Sequence, residues 1–141
     1  MKNYNFIFSI VTEEDPNTVR KHQFCAALRH AGEVQIEFAQ RLKAEKATKS
    51  LSKGGVEASE TIGRMAMQMA TEFEQLSLED LAVRLIVTDL RTTITKLIAS
   101  LDQILNAPSP SKSMAEITVA KARETREAYR AVLKIHDEML P

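Results

Sequence analysis

His22, His30, His136 and Cys25 are the side chains of this 141-residue chain best suited to move a proton or hold a metal. Their spacing argues against a shared centre. His22 and His30 lie eight residues apart, which on a straight helix is about 12 Å along the axis and too far for one ion. No HExxH pair, ExxH pair, phosphate loop or glycine-rich dinucleotide turn occurs. Neither a metal nor a cofactor is therefore expected. Cys25 stands in Phe24-Cys25-Ala26-Ala27-Leu28, an apolar setting that predicts a buried, unreactive thiol.

One pair remains. Arg130 and His136, in RAVLKIH, combine a cation suited to phosphate with a group suited to proton transfer. This run resembles the R-x(4 to 6)-H motif of the HEPN-type helical ribonucleases, over seven residues, with Ala131 where that family commonly has a polar residue. The resemblance implies a metal-independent ribonuclease in which Arg130 holds phosphate and His136 assists proton transfer. An interval of six residues, about 240° around an ideal helix, converges less well than intervals of four or seven.

Charge adds a second candidate. The totals balance, with 19 Lys and Arg against 19 Asp and Glu, which excludes partners gathered by one long-range field. Locally they do not balance. Arg41, Lys43, Lys46, Lys49 and Lys53 against Glu45 give residues 41–53 a net charge of +4. Residues 54–80 carry −5, with Arg64 opposed by six acids. The basic run could contact nucleic acid through phosphate, or neutralise the acidic helix beside it. Aromatics are only 5% and Trp is absent, so a stacking ladder for single strands is not expected. The apolar run Phe6 to Val11 is too short to span a bilayer and no signal-peptide pattern precedes it, so a cytoplasmic chain with no membrane partner is expected.

The elements that would position these groups read as all-α. Four glycines and four prolines are few for a chain built on tight turns. A first helix follows Thr12 or Asp15 as cap and Pro16 in the first turn, and runs to about Ser50 with Phe24, Leu28, Ala31, Phe38 and Leu42 facing inward. Gly32 either divides it or marks a close contact. A loop at 49–55 leads to a second helix, Glu57 to Gln75, with Ile62, Ala66, Met69, Phe73 and Leu76 on its core stripe. Ser77 with Asp80 and the Leu76/Leu81 staple start a third. The seam Val83, Val87, Leu90, Ile94, Leu97, Leu101 and Ile104 predicts one straight helix to Asn106, roughly 43 Å long. Prolines 108 and 110 place a loop at 106–112. Ser113 and Glu116 form an expected capping box for a last helix, Met114 to near Leu140, with stripe Thr118, Ala122, Thr125, Tyr129, Val132, His136 and Met139. Its first half is expected to be loosely covered.

The expected architecture is a single domain over 1–141, an antiparallel bundle of four main helices, or five if Gly32 breaks the first. Residues 1–11 form an extended N-terminal segment in which Tyr4, Phe6, Phe8 and Ile10 share a face. The function expected of such a chain is a noncatalytic interaction or assembly module, an adaptor, inhibitor or subunit of a larger complex, with another protein or a second copy as partner. Phe6, Phe8, Met65, Met67 and Met69 are its candidate contact residues, methionine being adaptable at partner surfaces. Nucleic-acid binding through residues 41–53 and ribonuclease action through Arg130 and His136 are the alternatives.

Overall fold

The computed structural model describes residues 15–45, 53–106 and 115–140. These form five helices: α1 (Pro16–Glu45), α2 (Lys53–Glu74), α3 (Leu78–Thr88), α4 (Leu90–Asn106) and α5 (Glu116–Met139). The all-α bundle expected from periodicity is the fold observed. The extended segment at 1–11, with Phe6 and Phe8, lies outside the described residues, as do Lys46, Lys49 and Ser113.

Helix α1 is the hub, packing on α2 along one flank and α5 along another, while α4 packs on α5. Contacts near the ends set the directions. Phe24 meets His136 at one end of α1, and Glu45 meets the amide of Ala115 at the other, so α1 and α5 are antiparallel. His22 with Glu74 and Lys43 with Glu60 make α1 and α2 antiparallel as well. Arg91 with Asp137 and Asp102 with Arg126 do the same for α4 and α5. The resulting order of α1, α2, α4 and α5 is up, down, up, down, and α3 crosses the bundle end where α1 starts and α5 finishes, with Leu78 and Ala82 near Asn17 and with Leu85 and Asp89 near Met139.

Two apolar clusters fill the interior. One gathers Phe24, Leu28, Phe73, Leu81, Leu85 and Tyr129 at the end where α3 sits. The other gathers Phe38, Leu42, Val56, Leu101 and Ala122 at the opposite end. The α1 and α5 stripes supply both, at spacings of three and four that keep them on one helix face. Thr118, Ala122 and Thr125 are fully buried, so the first half of α5 is as well covered as the second, contrary to the expectation from its small side chains. Small residues here permit close packing.

Gly32 does not break α1. A Cβ on Gly32 would stand 2.5 Å from the Gly63 carbonyl oxygen and 2.8 Å from Met67 Cγ; one on Gly63 would stand 2.9 Å from the Gly32 carbonyl. The two backbones therefore touch. Buried small residues recur at seven-residue intervals around this point, Cys25, Gly32 and Ala39 on α1 with Gly63 and Ala70 on α2. The buried face of α2 is accordingly Val56, Gly63, Ala66, Ala70 and Phe73, with Ser59 half-buried beside it, whereas Ile62, expected inside, is 37% exposed. Helix α2 also begins at Lys53, so the expected loop 49–55 is helical in its last three residues.

The long third helix is two helices. Asp89 adopts φ 49°, ψ 50°, the left-handed conformation that ends a helix, and its amide reaches back to the carbonyls of Ile86 and Leu85. Ser77 caps α3 as expected, accepting from the Asp80 amide at 3.1 Å. The break changes the phase of the seam. Leu90, Ile94 and Leu101 of α4 are buried, but on α3 the buried residues are Leu81 and Leu85, leaving Val83 and Val87 outside. At the start of α5 the N-cap is Ala115, with no side-chain bond of its own. Glu45 of α1 accepts from its amide at 2.7 Å and sets a carboxylate on the positive end of the α5 dipole.

Gly32→Ala is expected to destabilise the bundle by about 1–2 kcal/mol net, because overpacking at a backbone contact, about 2–3 kcal/mol, outweighs the roughly 1 kcal/mol that alanine gains over glycine in a helix. Urea unfolding followed by circular dichroism measures it, and an unchanged midpoint would contradict the contact.

Candidate interaction surfaces

The expected contact residues fall into different surroundings. Met65 is 53% exposed, Met67 is half-buried beside Gly32, and Met69 packs against the upper core. The three do not share a face. A larger outward apolar stripe lies instead on α3, where Val83, Ile86 and Val87 are 60%, 67% and 75% exposed at the i, i+3 and i+4 spacing of one face. Leu81 and Leu85 occupy the opposite side, so α3 is apolar on both. A helix apolar all round is normally covered on both sides. Beside this stripe, Leu85, Ile86, Asp89, Arg91, His136 and Met139 line an open depression of about 470 Å³.

The basic run is partly neutralised within the fold. Lys43 donates to Glu60, which also accepts from Arg64 at 2.9 Å. These two bonds hold the Glu60 carboxyl below the usual carboxylate range. Arg41 stands 3.8 Å from Glu45. Lys43 is thereby tied to α2.

Arg130 and His136 have separate partners. Arg130 is held by Glu127 at 2.8 Å, with Asp102 of α4 at 3.7 Å. His136 is buried, 6.3 Å from Phe24 between ring centroids, with Nδ1 3.3 Å from the Asp137 carboxylate. Its neighbour Asp137 is ion-paired with Arg91 at 2.9 Å, which lowers the Asp137 carboxyl pKa. Among the described residues no group of three His, Cys, Asp or Glu could hold a metal, and no helix is long and apolar enough to cross a membrane.

A buried polar network escapes the apolar pattern. Tyr129 donates its hydroxyl to Gln35 Oε1, and Gln35 Nε2 donates to Ser59 Oγ at 3.3 Å. Gln35 and Tyr129 are 2% and 1% exposed. The signal was present in the spacing: Phe24, Leu28, Ala31, Gln35, Phe38 and Leu42 continue one four-three alternation, with Gln35 the single polar member. The same network floors a cleft of about 200 Å³ between α2 and α4. Gln35 and Phe38 form its base, and Gly55, Ala58, Ser59 and Ile62 form one wall. Leu97, Ser100, Leu101 and Ile104 form the other.

No family model, curated protein or solved structure matches the chain.

Cys25 is fully buried, and burial, reinforced by Glu74, pushes its thiol up to about 12 from an ordinary 9.0. Burial also raises the Tyr129 phenol above its ordinary 10.0. Both groups keep their protons in the fold at pH values where the unfolded chain has released them. Stability from this source is complete below pH 9 and falls as pH rises from there toward 12. Urea midpoints measured across that range should decline, and the decline should start later in Cys25→Ala. Tyr129→Phe should cost about 1–3 kcal/mol at pH 7, by leaving the buried Gln35 oxygen without its donor.

Proposed function

We propose that this chain is a noncatalytic helical assembly module that docks through the outward face of α3, with a second copy of itself as the partner. The observation that carries this reading is the stripe Val83, Ile86 and Val87, three large apolar side chains each more than half exposed on a helix whose other face is already in the core. Burial of such a side chain contributes about 1.5–3 kcal/mol, and contiguous exposed apolar surface marks interaction sites. The helix is also held firmly. Ser77 caps one end, Asp89 closes the other, and Leu81 and Leu85 are fully buried, so little ordering cost remains to be met on docking.

The alternatives draw less support. Lys43 is engaged by Glu60, and Arg130 by Glu127, which leaves fewer cations of either set for phosphate. Met65 and Ile62 are exposed on α2 and are further apolar residues that an assembly could cover.

Multi-angle light scattering on the purified chain tests the reading. The wild type should show a mass above that of one 15.8 kDa chain at about 100 µM, the concentration at which even a modest interface of about 5.5 kcal/mol is half-saturated. Val83→Ser combined with Val87→Ser should return it to a monomer. Exposed substitutions usually change stability by less than about 0.5 kcal/mol, so the far-ultraviolet dichroism should not move. A monomeric wild type, or a double variant that assembles as before, would overturn the proposal.

A further inference from the structure

The cleft between α2 and α4 is a packing deficit built into a core-type interface. On the α4 side the lining residues Leu97, Leu101 and Ile104 follow the spacing of a buried stripe, and Leu101 is 4% exposed. The facing α2 positions are Gly55, Ala58, Ser59 and Ile62, spaced in the same way but mostly small. The cleft opens to solvent at Ala58, Ile62 and Ser100, and the small side chains at Gly55, Ala58 and Ser59 leave its apolar α4 wall without packing partners from α2. The volume, about 200 Å³, corresponds to about seven groups of the size of a water molecule.

Polar chemistry is concentrated at one place. Ser59 Oγ accepts from Gln35 Nε2, so its own hydroxyl hydrogen remains to be donated. Gln35 is itself held by Tyr129 and is 98% withdrawn from solvent, which fixes the Ser59 side of the floor. Ser100 adds a second hydroxyl on the opposite wall. None of the ten lining residues is charged, and a charged group brought among them would lose hydration without an ionic partner.

We infer that the α2/α4 cleft is a binding site for a small neutral amphiphile, a short alkyl chain bearing one uncharged oxygen that accepts a hydrogen bond from Ser59. The alkyl portion packs on Phe38, Leu97, Leu101 and Ile104, and the oxygen sits toward the Gln35–Ser59 pair. This combination of apolar walls with one or two convergent polar groups is the usual form of a small-molecule site. The inference is independent of the α3 docking face, which uses other residues.

The probe is 1-octanol, with octanoate as the charged control, titrated into the isotopically labelled full chain and followed by amide NMR shifts. Saturable shifts confined to residues 55–62, 97–104 and the Gln35 side-chain amide are expected, with octanoate at least tenfold weaker. Ala58→Leu fills the cleft and should weaken octanol at least tenfold; Ser100→Leu, at the exposed rim, serves if that variant does not fold. Ser59→Ala should weaken the alcohol while leaving octane, which has no oxygen, unchanged. Dispersed or non-saturating shifts, equal binding of octanoate, or undiminished binding by a folded cleft-filling variant would overturn the site. Shifts of the same amides that grow with protein concentration alone would assign the cleft to a second copy and overturn it equally.

Discussion

The close approach of α1 and α2 at Gly32 and Gly63 governs the rest of the bundle. Two helices whose backbones touch must carry small residues for several turns on either side, and the buried positions Cys25, Ala39 and Ala70 meet that demand. The approach draws α2 onto α1 and presents Ser59 to Gln35. It also draws α2 away from α4. Four helices around a common axis can close all four flanks only when neighbouring distances are similar. Here one flank is shortened by the glycine pair, and the flank between α2 and α4 is left with a cleft.

The polar network and the two-part core follow from the same geometry. Gln35 lies between Ala31 of the upper cluster and Phe38 of the lower one, and Tyr129 crosses from α5 to reach it. A buried amide is costly unless paired. Because only one arrangement pairs Gln35 with both Tyr129 and Ser59, the network disfavours any sliding of α1 against its neighbours. Apolar contacts alone would resist such sliding less, since leucine and alanine stripes repeat every turn. The ion pairs of Lys121 with Glu37 and of the half-buried Arg126 with Asp102 agree with this register.

Much of this was legible in the residues, and the failures have physical causes. The inward stripes of α1 and α5 were readable because their large side chains repeat at three and four. On α2, Ala66 and Phe73 are buried as expected, but Ile62 and Met69 were read as core positions in place of the neighbouring Gly63 and Ala70, because they outweigh those small residues in any count of hydrophobicity. The break at Asp89 was hidden for another reason. Leu81 and Leu85 on one side of α3 and Val83, Ile86 and Val87 on the other are both apolar, so a continuous seam through Val83 and Val87 could be drawn as readily as one through Leu81 and Leu85. Only the left-handed backbone of Asp89 selects between them, and aspartate tolerates that conformation without advertising it as glycine would. A motif resemblance singled out Arg130 with His136; the acids that pair with Arg130 come partly from α4, and nothing local to RAVLKIH reports them.

The phase slip at Asp89 also accounts for the exposed face of α3. Had α3 and α4 been one helix, a single apolar stripe would have served its whole length, and Val83 and Val87 would have been inside it. Ending α3 in a left-handed residue lets α3 turn Leu81 and Leu85 onto Phe24 and Phe73, while α4 resumes with Leu90 and Ile94 inward. The same turn expels Val83, Ile86 and Val87 together. Replacing them with polar residues would leave the buried contacts of α3 intact, so their apolar character is not required by the fold. It is on this stripe, rather than on the methionines of α2, that the assembly reading rests.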